Sequence, residues 1–374
     1  MSRDISIIGG SAAGFYTSYL LARQGLNVRL FEAAEQINPP SRTLIVTKYM
    51  QDLLGPLDNG AIVNKIHRFE LYTDGKSATI ALKHPDLIIE RSKLIHELAT
   101  KAQGAGVEII TGRRFSNLKQ NGKRLSFSLS RNGDIFKEST DILVGADGAF
   151  SKVAQSAGWP KQSTVPLNQA IVELPRDMPS DTTRVWFIPE DTPYFYWLIP
   201  HSATHGVLGM IGGNGSNTQT TLETFLEKKK LVTTGFQRAQ TPEFKKWIPH
   251  HKKLGQSHIY LVGDAAGHVK VTTAGGVVTG FRGAQGIAEA ILNGSTSREL
   301  KALRMELYRH SFLRRVLNCF TQKDYNRLLE LLDPSIQQTL GVFTRDETHK
   351  LLLQLLRKQP RLLLFGLRVL VTGK

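Results

Sequence analysis

Ile5-Ser6-Ile7-Ile8-Gly9-Gly10-Ser11-Ala12-Ala13-Gly14 opens the chain with a short β-branched run that stops on glycine. A run of this kind suits a strand buried in a parallel sheet. A helical stretch from about Phe15 to Gln24 follows and Gly25 ends it. Asn27-Val28-Arg29-Leu30-Phe31 then reads as a second strand closing on Glu32. This is a β-α-β unit with a glycine-rich first turn. Such a turn lets a pyrophosphate approach the backbone at a helix N-terminus, where unpaired N–H groups and the helix dipole favour an anion. Gly9 permits the tight turn and Gly14 the close packing of helix on strand. Ser11 stands where a dinucleotide fingerprint has its middle glycine and is small enough for the place; Ala13 completes the cofactor-facing set. Glu32 is placed to accept hydrogen bonds from an adenosine ribose. Its charge disfavours a 2′-phosphate, which points to FAD or NAD rather than NADP.

Working outward, two more segments repeat the pattern of a strand delivering an aspartate at its carboxyl edge. Ile142-Leu143-Val144 runs into Gly145-Ala146-Asp147-Gly148, and Ile259-Tyr260-Leu261-Val262 runs into Gly263-Asp264-Ala265-Ala266-Gly267. Asp264 is placed for a ribityl hydroxyl. Thr272-Thr273-Ala274-Gly275-Gly276 leads into a helix from roughly Val277 to Leu292. The bare N-terminus left by Gly275 and Gly276 suits the edge of a flavin that gains negative charge on reduction.

Together these three stretches resemble the fingerprints of the two-domain flavoprotein hydroxylase fold. Glu90-Arg91-Ser92-Lys93-Leu94 resembles the arginine-bearing helix start that contacts FAD in that superfamily, which makes Arg91 a cofactor residue by resemblance. Within the superfamily, Gly263 to Gly276 is most similar to the geranylgeranyl reductases, and the resemblance covers nearly the whole chain. Some of those reductases use a cysteine after the second strand. Ser41-Arg42-Thr43-Leu44-Ile45-Val46 has none, so that role does not transfer.

Between about 166 and 250 the texture changes to alternating strands: Ala170 to Leu174, Arg184 to Ile188, Tyr194 to Ile199 and Val207 to Ile211. This is an antiparallel pattern, joined by a hairpin from Arg68 to Leu82 that turns at Thr73-Asp74-Gly75. The sheet is expected to roof the isoalloxazine ring. Phe195-Tyr196-Trp197-Leu198-Ile199-Pro200 resembles the reductase segment that lines a prenyl pocket, with Gly209 in the glycine motif that follows it. Phe195, Trp197, Pro200 and Gly209 are therefore the expected substrate-binding residues. The expected fold class is α/β, with a Rossmann-type FAD-binding domain interlocked with an antiparallel β-sheet substrate domain, plus a C-terminal helical region. The first is discontinuous over 1–66, 83–165 and 250–295. The second takes 67–82 and 166–249, and the helical region 296–374.

Lys and Arg total 48 against 32 acids, a net charge of +16, which favours an anionic ligand or surface. The single cysteine, Cys319, excludes a disulfide scaffold and a multi-cysteine metal site, and fits a reducing cytosol. No metal-ligand set and no nucleic-acid recognition motif is present. No apolar run has the length of a membrane span. From Leu303 to Phe320 leucines and aromatics alternate with arginines, and from Thr348 to Lys374 there is no acid while leucine clusters, Leu362-Leu363-Leu364 among them, alternate with basic residues. Basic amphipathic helices of this type can lie on an anionic membrane surface, the alternative being that the leucine-rich helices pack against their own protein. The expected location is cytoplasmic, and whether the C-terminal helices also touch a membrane is left open by the sequence.

The resemblance implies an FAD-dependent reduction of carbon–carbon double bonds in a polyprenyl lipid, with hydride from the reduced flavin and a proton from a donor the sequence does not identify. No second dinucleotide fingerprint appears, since Gly209-Met210-Ile211-Gly212-Gly213-Asn214-Gly215 falls within the antiparallel region. The electron donor is then either NAD(P)H reacting transiently or a small redox protein. The alternatives are an FAD monooxygenase that hydroxylates a small aromatic and a halogenase-like enzyme.

Overall fold

The computed structural model describes residues 3–57, 60–213, 217–294, 297–361, 364–366 and 368. Asn214, Gly215, Leu362, Leu363 and 369–374, named above, lie outside them.

Asp4–Ile8, Ala12–Ala22 and Asn27–Phe31 form the expected β-α-β unit. A six-stranded sheet is built on it, in the order His251–Leu254, Ser257–Leu261, Ile142–Gly145, Asp4–Ile8, Asn27–Phe31, Glu108–Ile110, with only the first strand antiparallel to its neighbour. The two faces of this sheet carry different covers. Ile5, Ile7, Leu30 and Val144 point to a core shared with the helices Ala12–Ala22, Arg91–Gly104 and Val277–Asn293. Ile8, Phe31 and Leu143 point the other way, onto Phe115, Leu125, Phe127 and Leu129. These last belong to a three-stranded sheet of Arg114–Asn121, Arg124–Arg131 and Asp134–Thr140, which the sequence reading had not separated out. Strands with apolar side chains on both faces are what a covered parallel sheet demands.

The second large sheet has eight strands, in the order Thr233–Pro242, Thr164–Glu173, His205–Ile211, Tyr196–Pro200, Thr182–Trp186, Ile62–Tyr72, Ser77–Glu90, Thr43–Val46. The hairpin predicted over 68–82 is present, closed by Thr73 N–H donating to the Lys76 carbonyl. Its strands run further than expected, and Thr43–Val46 pairs onto them. The expected boundaries at 67 and 82 therefore fall inside strands, and residues 43–46, 62–66 and 83–90 belong to the substrate sheet. The side chains alternate across this sheet. Tyr196, Leu198, Leu208 and Met210 pack under the helix Thr218–Lys229, whereas Trp197, Ile199, Val207 and Ile211 face the other domain.

The C-terminal region is helical as expected: Arg298–Asn318, Gln322–Glu330, Pro334–Val342 and Thr348–Lys358. Cys319 caps the first of these, and its thiol donates to the Arg315 carbonyl. Among the described residues no helix is long and apolar enough to cross a membrane.

Candidate active site

Strand pairing brings the three glycine-bearing stretches together. Ile8 pairs with both Phe31 and Gly145, and Gly145 pairs in turn with Leu261. The turns after these strands therefore lie side by side at the carboxyl edge of one parallel sheet, where ligands of α/β folds bind. A cavity of about 530 Å³ opens there and runs beneath the eight-stranded sheet. Ser11, Ala13, Arg91, Gly148, Gly263, Asp264, Gly275 and Gly276 stand in its wall on one side, and Phe195 and Trp197 on the other.

Gly9, Gly14 and Glu32 shape the turn rather than the wall. Gly9 has φ +108°, and a Cβ there would stand 2.6 Å from the Ala146 carbonyl oxygen; one on Gly14 would stand 2.2 Å from that of Gly9. Neither position admits a side chain. Ser11 caps the helix Ala12–Ala22 by accepting from Gly14 N–H at 3.1 Å. Glu32 accepts from Gly10 N–H at 2.6 Å and from Ala34 N–H at 2.8 Å, so it fixes the loop whose ligand it is expected to meet.

Asp264 sits in the wall, and burial raises its pKa against the opposing pull of Arg42 and Arg91. Next to it, the helix Val277–Asn293 starts at Gly276 with no side-chain cap, leaving its first N–H groups and its dipole toward the cavity. Arg91 opens the helix Arg91–Gly104 and donates to the Pro40 carbonyl.

Three expected residues are placed differently. Asp147 turns away from the cavity. Its carboxylate accepts from Ser151 Oγ at 2.6 Å and from the N–H groups of Lys152 and Val153, holding the short helix Lys152–Ser156. A carboxylate at a helix N-terminus is well satisfied there, and Gly148 reaches the wall instead. Pro200 is buried in its strand opposite Gly206, outside the wall. Gly209 is likewise outside it, and acts by leaving room: a Cβ there would stand 2.5 Å from Trp197 Cε2 and 2.7 Å from Gln169 Cγ.

Sequence reasoning missed Arg42, which faces the cavity with its Nε buried and unpartnered. Glu90 positions it. The Glu90 carboxylate accepts from Ser41 Oγ at 2.8 Å, from Arg42 N–H and from Lys93 N–H, while Arg91 N–H donates to the Arg42 carbonyl. Burial alone would raise Glu90, but these donors, with Ser92, outweigh it and hold the carboxyl down at about 2. A cation between Pro40 and a short apolar strand was the available signal. Also missed was a buried ion pair in the same wall, Lys270 with Asp346, to which Thr47 Oγ1 donates as well. The chain places these partners 76 residues apart, so spacing gave no hint.

The arrangement fits a bound FAD on its own terms. It offers two glycine positions that a Cβ would fill, an uncapped helix N-terminus, a buried Arg42 Nε without a partner, and a carboxylate at Asp264. Gly9, Gly14 and the start of Ala12–Ala22 would hold the pyrophosphate, with Arg42 and Arg91 as candidate counter-charges and Asp264 facing the ribityl chain. Fold and site thus define an FAD-dependent oxidoreductase. The chain belongs to the family of the FAD-binding domain, whose family model matches residues 2–301.

Among curated proteins it is similar to the digeranylgeranylglycerophospholipid reductase of Methanococcus aeolicus, at 22% identity over 90% of this chain and 91% of that one. It is 24% identical to the geranylgeranyl diphosphate reductase of Rhodobacter capsulatus, over 87% and 85% of the two chains. Among solved structures, a geranylgeranyl bacteriochlorophyll reductase-like protein from Thermoplasma acidophilum shares the fold, with TM-score 0.79, 18% identity and coverage of 98% and 99%.

Proposed function

We propose that this protein saturates carbon–carbon double bonds of a polyprenyl lipid. One observation carries the reading: a single cavity joins the cofactor cradle at Ser11, Asp264 and Gly276 to an apolar chamber of Phe69, Val185, Phe195, Trp197 and Ile199. Bound FAD, once reduced, supplies the hydride. The chain's own residues hold an apolar substrate over it and keep water from the reacting bond. The edge-to-face contact of Phe195 and Trp197, with ring centroids 6.0 Å apart, gives that chamber a rigid wall. The names of the reductases similar to this chain support the same substrate class, and they do not favour the monooxygenase and halogenase alternatives. The test is anaerobic single turnover of the dithionite-reduced protein with a geranylgeranyl lipid. Two-hydrogen mass steps support the reading; oxygen-dependent product alone refutes it. NADH, NADPH and a reduced ferredoxin, compared as reductants, identify the electron source.

Peripheral membrane contact belongs to the same reading, because a prenyl chain must be drawn from lipid. Met305, Tyr308 and Phe312 are exposed at three- and four-residue spacing on Arg298–Asn318, with exposed Arg304 and Arg315 beside them. Leu353 and Leu356 are exposed on Thr348–Lys358 next to Arg357 and Lys358. Basic and apolar side chains on one surface suit an anionic interface. Co-sedimentation with anionic vesicles, absent with neutral ones and lost at high salt, is the expected result.

A further inference from the structure

The roof of the cavity is mostly apolar, with polar residues at Thr43, Gln240 and Thr241 near its edges and a further set at its centre. A single register row crosses the eight-stranded sheet through Gln237, Gln169, Gly209, Trp197, Val185 and Leu71. Of these, Gln169, Trp197, Val185 and Leu71 stand in the cavity wall. Thr183 lies two residues before Val185 on the same strand, so it presents the same face, and it too stands in the wall.

Three polar atoms in this patch lack partners. Gln169 Oε1, Thr183 Oγ1 and Trp197 Nε1 are buried and make no hydrogen bond, on residues that are 4%, 1% and 7% exposed. Gln237 Oε1, on the edge strand beside Gln169, is in the same condition. A buried hydroxyl or amide without a partner is costly, and native structures rarely leave several such groups together. Val185 and Leu71, the apolar members of the row, offer nothing to bond. Gly209 brings two of the orphans close: Trp197 Cε2, which carries Nε1, and Gln169 Cγ both lean over its Cα from opposite sides.

We propose that Gln169 and Trp197, which meet over Gly209, form a hydrogen-bonding subsite for a hydroxyl group on the substrate, with Thr183 further along the same wall. The chemistry selects that group. The indole N–H needs an acceptor and the Gln169 carbonyl oxygen needs a donor. A hydroxyl is the smallest group that meets both demands at once, and an ether or a hydrocarbon cannot. The inference rests on the prenyl-lipid reading and sharpens it. The substrate carries its hydroxyl, as a prenyl alcohol or as a prenylated phenol, beneath the sheet and beside the flavin site rather than out in solvent. A pocket built around buried polar atoms discriminates strongly against a ligand that leaves them unpaired.

Calorimetric binding to the oxidised, FAD-loaded protein tests this without turnover. The probes are geranylgeraniol, a geranylgeranyl hydroquinone, and the methyl ether of each. One hydroxyl probe is expected to bind about tenfold more tightly than its own ether, and whichever does so identifies the source of the hydroxyl. Gln169→Leu should shrink that ratio toward one while leaving ether affinity and flavin content in place, whereas Thr183→Val, on the strand beyond Trp197, should leave the ratio unchanged. Equal binding of hydroxyl and ether by the native protein overturns the subsite, as does an unchanged ratio in Gln169→Leu. Ether and hydroxyl probes that bind equally well leave the prenyl-lipid reading standing. Failure of every prenyl probe to bind removes that reading and this one together.

Discussion

Trp197 lies across Gly209: a Cβ at Gly209 would stand 2.5 Å from both Cε2 and Cζ2 of the indole. The two residues are register partners on neighbouring antiparallel strands, so neither can move away along the sheet without breaking the ladder. The glycine is thus the space in which the tryptophan reaches its position in the cavity roof.

Gly209→Ala should therefore displace the indole and Gln169 together. Overpacking of this kind costs about 1–3 kcal/mol. The expected result is a lower melting temperature, unchanged flavin content and weakened prenyl-ligand binding, read by thermal denaturation, visible absorbance and calorimetry. A variant that binds prenyl ligand like the parent would show that Trp197 does not shape the chamber.

The Lys270–Asp346 pair makes a second prediction. Both side chains are almost completely buried, and removing one member of such a pair strands the other charge. Asp346→Ala is expected to cost about 3–5 kcal/mol in denaturant titration. The double variant Lys270→Met with Asp346→Leu should recover most of that loss, since an apolar pair leaves no uncompensated charge. If the double variant is no more stable than the single one, the penalty does not come from the stranded cation.

Flavin retention depends on groups around Asp264. Asp264→Ala and Arg42→Met should each lower the ratio of 450 nm absorbance to protein after gel filtration. Glu90→Gln should do so less severely, because Glu90 acts at one remove, by holding the Ser41–Arg42 segment and capping the helix that Arg91 opens. Flavin content unaffected by Asp264→Ala would argue against its ribityl contact.

Acid stability should fall in two stages. His268 is buried against Trp247, with both ring nitrogens unpartnered, and burial pushes it down to about 3. Neighbouring His250 is lowered to about 4 for the same reason. Folded, both stay neutral, whereas the unfolded chain takes up protons below about pH 6.5. Stability is therefore lost as pH falls from 6.5. Glu90, held at about 2, adds a loss that begins only below its unfolded value near 4.5. Melting temperature followed from pH 7 to 3 should show both stages. His268→Phe should make the fall shallower across the whole range from 6.5 to 3, leaving below 4.5 the losses due to His250 and Glu90.

The first turn was legible in the sequence because its meaning is local. Gly9, Ser11 and Gly14 act within one loop, and the apolar run before them and the helix after them can be read from neighbours in the chain. The same holds for Gly275 and Gly276, whose lack of side chains leaves the next helix uncapped. Asp147 shows the limit of such reading. Strand-end aspartates at 147 and 264 look alike in sequence, and only the position of the following helix sends one to a cap and the other to the cavity.

What the sequence determined by itself was the set of strand-to-glycine turns, and with them the flavoprotein fold, since backbone geometry at those turns depends on residues adjacent in the chain. Contacts between side chains of different strands and segments came from the folded chain alone: Arg42 held by Glu90, Lys270 paired with Asp346, and Gln169 and Trp197 meeting over Gly209. Register between strands sets those meetings, and register follows from how the whole sheet buries one face, which no short stretch of sequence contains.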